Sequence, residues 1–172
     1  MAPRTDTFDL AGLRLSAGEA RSLELRVTVD PFSLAGQSYA PEPELADVRL
    51  DISRTMGEGY ALRLRFAATL TGPCMRCLEP ASPTFEVDAR EVSQPRAGEE
   101  LRSPYVQHGV LDLHGWARDA LALSLPPALL CRPGCQGLCP ECGVNLAAAG
   151  SDHGHDRGPD PRWAKLSQIR FD

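Results

Sequence analysis

Apolar and polar side chains alternate along four segments in the first half of the chain. The clearest is residues 22–30, where every second residue is leucine or valine and the residues between are mostly charged. This alternation is typical of a half-buried antiparallel strand. It recurs in residues 48–53 and 60–70, which a glycine-containing connection joins as a predicted hairpin. Residues 83–92 are predicted as a fourth strand, with Phe85 and Val87 inward.

The period then changes from two to about 3.6, which predicts an α-helix from Asp112 to Leu125. Asp112 is a suitable N-cap and Pro126 a suitable stop. We therefore predict an α+β fold, in which an antiparallel sheet that could close toward a barrel is covered by this helix. A second, short helix is predicted near the end of the chain, capped by Asp160 with Pro161 in its first turn. In the first of these helices, at 112–125, the residues that share one face are Leu113, Trp116, Ala117, Ala120, Leu121 and Ser124.

Length and composition predict one globular domain, since 172 residues with 42% hydrophobic and 24% charged residues can form an apolar core. Residues 1–126 are predicted to form the sheet with its helix. Residues 127–172 are predicted to be a cysteine-rich zinc-binding segment and C-terminal helix packed on the same domain. The first residues contain no long apolar stretch, and no segment reaches the roughly 18 apolar residues of a membrane helix. We expect a soluble cytoplasmic protein with no membrane partner.

The charge of the chain bears on its partners. With 18 basic against 23 acidic residues, the net charge of -5 gives no long-range attraction for nucleic acid. Any contact with RNA must therefore be local. The outer face of the predicted sheet offers one basic strip, although Glu24 and Asp51 on the same face favour an ordinary solvated surface. The strip consists of Arg26, Arg49, Arg63 and Arg65, with Arg76 beyond the third strand.

Six cysteines suggest metal chemistry, because disulfides are rare in a reducing compartment. Zinc takes four tetrahedral ligands, and two cysteines separated by two residues can share one tight turn. The sequence predicts a structural zinc site of Cys74, Cys77, Cys131 and Cys135. It predicts a weaker second site of Cys139, Cys142, His153 and His155. Two alternatives remain open: the four C-terminal thiols could share one ion, and the two histidines could be solvated loop residues.

Three ordered motifs carry a resemblance to a known family. They are "CMRCLEP" after a strand, "LALSLPPALLC" leading into "CQGLCPECGVNL", and "DPRWAKL" near the end. Through them the chain resembles the YceD-like large ribosomal RNA subunit accumulation proteins. The resemblance implies a metal-binding α+β protein that supports the synthesis, processing or stability of large-subunit rRNA. After Leu146 the sequence departs from the family, because relatives commonly carry a Cys-x-Cys pair where this chain has His153 and His155.

Three classes of function follow. The first is a non-enzymatic zinc-binding factor in ribosome biogenesis, bound to large-subunit rRNA or a pre-ribosomal particle. The second is a protein-interaction module that stabilises a basic ribosomal protein without touching RNA. The third, a thiol oxidoreductase, is disfavoured because neither Cys-x-x-Cys pair leads into a predicted helix. The sequence contains no recognisable Ser/His/Asp arrangement or phosphate-binding glycine loop, so we expect no enzymatic activity and no small-molecule substrate.

Overall fold

A computed structural model describes residues 2–96, 98–155 and 162–163, and within them antiparallel β-structure dominates. Within residues 2–96 and 98–155 the structure also contains two α-helices and three short 3-10 helices, which span Ala11–Leu13, Met56–Glu58 and Glu99–Leu101. The strands are β1 Thr7–Asp9, β2 Ala20–Thr28, β3 Phe32–Leu34, β4 Gln37–Glu42, β5 Leu45–Arg54, β6 Tyr60–Pro73, β7 Pro80–Ala81, β8 Thr84–Ser93, β9 Val106–Gln107 and β10 Val110–Asp112. The α-helices are α1 Leu113–Ser124 and α2 Leu146–Ala149.

The main sheet is organised around β6, the longest strand. On one side β6 pairs with β5 and, further along, with β4; on the other side it pairs with β8 and then β7. β2 continues the sheet beyond β5, and β3 pairs with β4. The four predicted strands and the predicted hairpin are therefore confirmed. Most of their inward apolar residues are buried, as at Leu50, Ile52 and Leu64, whereas Leu23 and Phe85 are half-buried.

The expected closure toward a barrel is wrong for the described residues. β2 and β8 are the end strands of the sheet, and no ladder joins them in residues 2–96 and 98–155. Helix α1 instead contacts both β2 and β8 and covers the open face between them. Because the helix supplies the apolar partner for this face, the sheet can bury its core without pairing its ends.

Helix α1 forms where the sequence predicts it, and its boundaries have clear physical causes. The Asp112 carboxylate accepts a hydrogen bond from the backbone N–H of Gly115 at 2.9 Å, which satisfies a donor that the first turn leaves free. The predicted stripe is buried in the core, except that Ser124 is half-buried. Leu125 is extended, as expected for the residue before a proline.

The remaining strands, β1, β3, β4, β7, β9 and β10, were not predicted from the sequence. They are two to six residues long and too short to show a period. The predicted helix at Asp160 and Pro161 lies outside the described residues. Within the described ranges, no helix has the length and apolarity needed to cross a membrane.

Gly72 lies on β6 directly against the ring of Tyr39 and is expected to be intolerant of a side chain. A Cβ there would overlap the Tyr39 ring and come within 2.9 Å of the Ser38 carbonyl oxygen. The ring cannot easily move, since it is buried and its hydroxyl donates to the Pro73 carbonyl at 2.8 Å. We expect Gly72→Ala to lower the free energy of unfolding by about 1–3 kcal/mol.

Urea denaturation of the wild type and the Gly72→Ala variant measures this loss. A Tyr39→Ala background is the control, because removing the ring relieves the contact with the added methyl group. The cost of Gly72→Ala should be smaller there, although the close contact with the Ser38 carbonyl oxygen remains. An equal cost in both backgrounds would show that the ring is not the cause.

Candidate metal centres

The first cysteine cluster forms where the end of β6 meets the segment that follows α1. Cys74 comes directly after β6, while Cys131 and Cys135 lie beyond the helix. Several hydrogen bonds hold these segments together. The Met75 N–H donates to the Leu129 carbonyl at 2.9 Å, and the Arg76 guanidinium donates to the Cys135 carbonyl at 3.0 Å. Residues more than fifty positions apart are thereby brought to one point.

The four sulfurs of this first cluster fit a tetrahedral zinc ion. The Sγ atoms of Cys74, Cys77, Cys131 and Cys135 all lie within 4.8 Å of one another. The Cys74–Cys135 separation is 3.8 Å and the Cys77–Cys131 separation is 3.6 Å. Four sulfurs bound to zinc at about 2.3 Å would lie about 3.8 Å apart. A disulfide would need a sulfur–sulfur distance of about 2.05 Å, so all four are free thiols.

The two Cys-x-x-Cys turns have the same backbone structure. In the first, the N–H of Leu78 donates to the Cys74 carbonyl at 3.0 Å and the N–H of Cys74 donates to the Glu79 carbonyl at 2.8 Å. In the second, the equivalent bonds from Gly143 and Cys139 measure 2.9 and 2.8 Å. The residue after the second cysteine is left-handed in both turns, with φ of 63° at Leu78 and 71° at Gly143. A shared geometry indicates a shared role as paired ligands.

The second cluster combines the second turn with the two histidines. The side chains of Cys139, Cys142, His153 and His155 place one ligand atom each within 4.8 Å of the others. Cys139 Sγ is 3.2 Å from His155 Nε2, and Cys142 Sγ is 3.6 Å from His153 Nε2. A tetrahedral zinc ion would place sulfur and nitrogen ligands about 3.6 Å apart, so this set also fits. Cys142 is exposed, whereas three of the four residues of the first cluster are buried.

Glu141 orients His155 within this second cluster. The Nδ1 atom of His155 lies 3.2 Å from a carboxylate oxygen of Glu141, which leaves Nε2 facing Cys139. A histidine that binds a metal through one nitrogen commonly donates the other N–H to a carboxylate, which fixes the tautomer and the ring orientation. This role of Glu141 was not predicted from the sequence. The only available signal was its position inside the Cys-x-x-Cys turn.

The electrostatics of both clusters favour a bound cation. Burial opposes ionisation of Cys74, but backbone N–H groups of Cys77 and Arg76 outweigh it and lower the thiol pKa to about 6. The His153 ring and the backbone N–H of Cys142 lower the pKa of Cys139 to about 6. At Cys77 the backbone N–H of Glu79 favours the thiolate, yet burial and the three neighbouring thiols raise the pKa. Clustered sulfurs cannot all ionise together unless a cation offsets their repulsion.

Three of the four arginines of the predicted strip are paired with carboxylates, whereas the guanidinium of Arg26 donates to the Ala2 carbonyl. Arg63 makes two hydrogen bonds to Asp88, at 2.7 and 2.6 Å. Arg65 and Arg49 both contact Asp51, at 2.6 and 3.3 Å. Hydrogen bonds from Ser22 and from these arginines outweigh burial and lower the pKa of Asp51 to about 2. This pattern matches the solvated-surface alternative better than an open basic strip.

Glu141→Gln is expected to weaken zinc binding at the second cluster by about tenfold to a hundredfold, since the amide cannot hold the His155 ring as the carboxylate does. Competition with a chromophoric chelator measures the two affinities separately. Glu79→Gln is the matched control, because Glu79 occupies the corresponding region of the first turn and is exposed. Equal zinc affinities in wild type and Glu141→Gln would remove Glu141 from this role.

All eight predicted metal-site residues come together in the two predicted groups of four. The alternative of four C-terminal thiols around one ion is not the arrangement found, because Cys131 and Cys135 group with Cys74 and Cys77. That these residues bind zinc stays a prediction.

The left-handed position of Leu78 was also not predicted from the sequence, because glycine is the residue usually found at such a position.

Comparison with known proteins places the chain in a family. Residues 62–170 match the family model described as "Large ribosomal RNA subunit accumulation protein YceD". An uncharacterized protein of Mycobacterium tuberculosis is 34% identical over 170 residues, covering 95% of this chain and 80% of that protein. An uncharacterized protein of Mycobacterium leprae is 36% identical over 172 residues, covering 94% and 76%. No solved structure matches the chain. The chain belongs to the YceD family of large ribosomal RNA subunit accumulation proteins.

Proposed function

We propose that this chain is a non-enzymatic, zinc-stabilised factor that supports the accumulation of large-subunit rRNA in the cytoplasm. Family membership implies a role in large ribosomal subunit accumulation. The observation that carries the finer proposal is the pair of four-ligand clusters with tetrahedral spacing. When bound, zinc would supply a crosslink between the end of β6 and the segment after α1.

A structural role for the ions is favoured over a catalytic one. Each cluster already has four protein ligands, and catalytic zinc sites usually keep one position for water or substrate. Redox chemistry is also disfavoured. The first turn leads into the short strand β7, and the second turn is separated by Val144 and Asn145 from α2, a helix of four residues. Neither turn therefore opens a long helix whose N-terminus could stabilise a reactive thiolate.

The test joins metal content to rRNA levels in cells that depend on the chain. Cys74→Ser should lower both zinc content and the ratio of large- to small-subunit rRNA. Arg132→Lys is the control, because Arg132 is exposed and lies beside the candidate ligand Cys131. Normal rRNA levels in a variant that has lost its zinc would contradict the proposal. The non-enzymatic part of the proposal would be contradicted by a different result. That result is a single substitution that leaves zinc content and melting temperature unchanged but abolishes the turnover of a substrate and the function in cells.

A second candidate is a module that binds a basic ribosomal protein. It is favoured by the net charge of -5 and by the carboxylate pairing of Arg49, Arg63 and Arg65, which leaves little free positive charge for RNA. Binding to naked large-subunit rRNA should weaken steeply with salt if RNA is the direct partner. Retention of a basic protein with no such RNA affinity would favour the module.

A further inference from the structure

The end strand β8 has a free hydrogen-bonding edge. The N–H of Leu70 donates to the Pro83 carbonyl at 3.0 Å, and the ladder continues in register through Thr69–Thr84 to Tyr60–Ser93. In an antiparallel ladder, hydrogen-bonded and non-hydrogen-bonded pairs alternate. The odd-numbered residues of β8 therefore bond to β6, and the even-numbered residues point their N–H and C=O groups away from the sheet. No backbone or side-chain group in the described part of the chain bonds to these outward groups.

At the opposite end of the sheet, part of the edge of β2 is hydrogen-bonded to the N-terminal segment. At β2, the N-terminal segment bonds to both backbone groups of Arg26: Thr5 donates to its carbonyl at 2.8 Å, and its N–H donates to the Pro3 carbonyl at 2.9 Å. The chain thus partly covers one end strand and leaves the other open.

A groove with both apolar and charged lining residues runs along the open edge, between β8 and α1. Its floor includes Val87 and Ala89 of β8, and its far wall is a helical row of Trp116, Ala120 and Leu123. Trp116 and Ala120 are buried, but Leu123 at the rim is 88% exposed. A sheet edge whose backbone groups are unpaired can accept an extended peptide as an added strand, and an apolar surface beside it can take alternate side chains of that peptide.

The groove is acidic. Its lining residues include the acids Glu86, Asp88 and Glu91 and the single cation Arg90. Asp88 is already paired with Arg63, whereas neither Glu86 nor Glu91 forms an ion pair with a described residue. Burial raises the pKa of Tyr105, which also lines the groove, and the carboxylates of Asp119 and Glu91 raise it further. An occupant should therefore carry positive charge.

We propose that the β8 edge binds an extended basic segment of a partner protein by strand addition. Residues of the segment that face α1 would be apolar, and the alternate residues on the opposite face, which lie beside Glu86, would be lysine or arginine. This inference rests on the proposal that the chain acts by binding, and it names the chemistry of the partner. It assigns partner binding to a surface separate from both metal centres.

The test uses a fluorescein-labelled ten-residue peptide in which lysine alternates with valine, and fluorescence anisotropy with the full chain. Arg90→Pro removes an outward N–H while leaving the ladder to β6 intact, and proline is tolerated at such edge positions. It should weaken peptide binding by about tenfold, the effect of a lost backbone hydrogen bond together with disturbed edge geometry. Arg90→Ala, which keeps the N–H, should bind at least as tightly as wild type.

Two further comparisons complete the test. Leu123→Ser should weaken binding, whereas Met56→Ser, which changes another exposed apolar residue, should not. A peptide in which glutamate alternates with valine should not bind. Equal binding of the two peptides, or equal affinity of Arg90→Pro and Arg90→Ala, would overturn the inference. The inference would also be overturned if light scattering showed that the wild type is a dimer and Arg90→Pro a monomer. A second copy of the chain would then occupy the edge.

The zinc content of each variant is measured in parallel. Failure of the lysine peptide to bind a protein that holds its zinc contradicts this inference alone. Normal rRNA levels in a variant that has lost its zinc contradict the proposed function instead.

Discussion

Cys74→Ser is expected to abolish metal binding at the first cluster and to unfold the segment that follows α1. Cys74 is fully buried at the end of β6, and its sulfur lies 3.8 Å from that of Cys135. Structural zinc sites contribute on the order of 10 kcal/mol of binding free energy in small zinc-folded units. This binding free energy is comparable to the total free energy of unfolding of many domains. Loss of one ligand should therefore lower the melting temperature sharply.

Zinc analysis of protein purified without chelator, together with thermal unfolding, measures the effect. Cys142→Ser is the matched control, since it removes a thiol from the exposed second cluster and should spare the first. A Cys74→Ser protein with wild-type melting temperature and wild-type zinc content would contradict the assignment of the first cluster.

Replacing His153 and His155 together with alanine is expected to remove only the second ion. Two thiols would remain there, too few to hold zinc as a closed structural site, so the content should fall from about two ions per chain to about one. All four ligands of this cluster lie between residues 139 and 155, outside the main sheet. The sheet should therefore stay folded while the last thirty or so residues loosen.

Hydrogen exchange measures where protection is lost, and zinc analysis counts the ions. The double change to His153→Cys and His155→Cys is the control, because it restores two ligands in the Cys-x-Cys form. That variant should keep both ions. If the alanine variant also kept both ions, the histidines would be solvated loop residues and the second site would not include them.

The four main strands and helix α1 were predictable because their determinants are local. A strand buried on one face must alternate with period two, and a helix must repeat with period 3.6, so the pattern at residues 22–30 or 112–125 is visible without knowing any partner. The short strands were not predictable in this way. β1, with three residues, is defined only by its pairing with β10, and that pairing joins positions about a hundred residues apart.

The metal clusters show the same division between local and distant information. The Cys-x-x-Cys spacing by itself indicated two paired-ligand turns, since a tight turn is a local structure. The sequence also predicted how the ligands group. Whether the first pair meets Cys131 and Cys135 depended on how β6 and the segment after α1 come together, as the hydrogen bond from Met75 to Leu129 shows. Glu141 could be assigned to His155 only once the loop had brought the two side chains within 3.2 Å.

Charge pairing and edge exposure were decided by the tertiary structure alone. The sequence placed arginines on the outer face, but the register that sets Arg63 opposite Arg90 and near Asp88 determines which charges cancel. It likewise placed Phe85 and Val87 inward, yet whether the sheet closes depends on what covers its open face. The sequence determined periodicities and ligand spacings, because these follow from the geometry of a single segment. The structure decided pairings, closure and free edges, because these depend on contacts between segments distant in the chain.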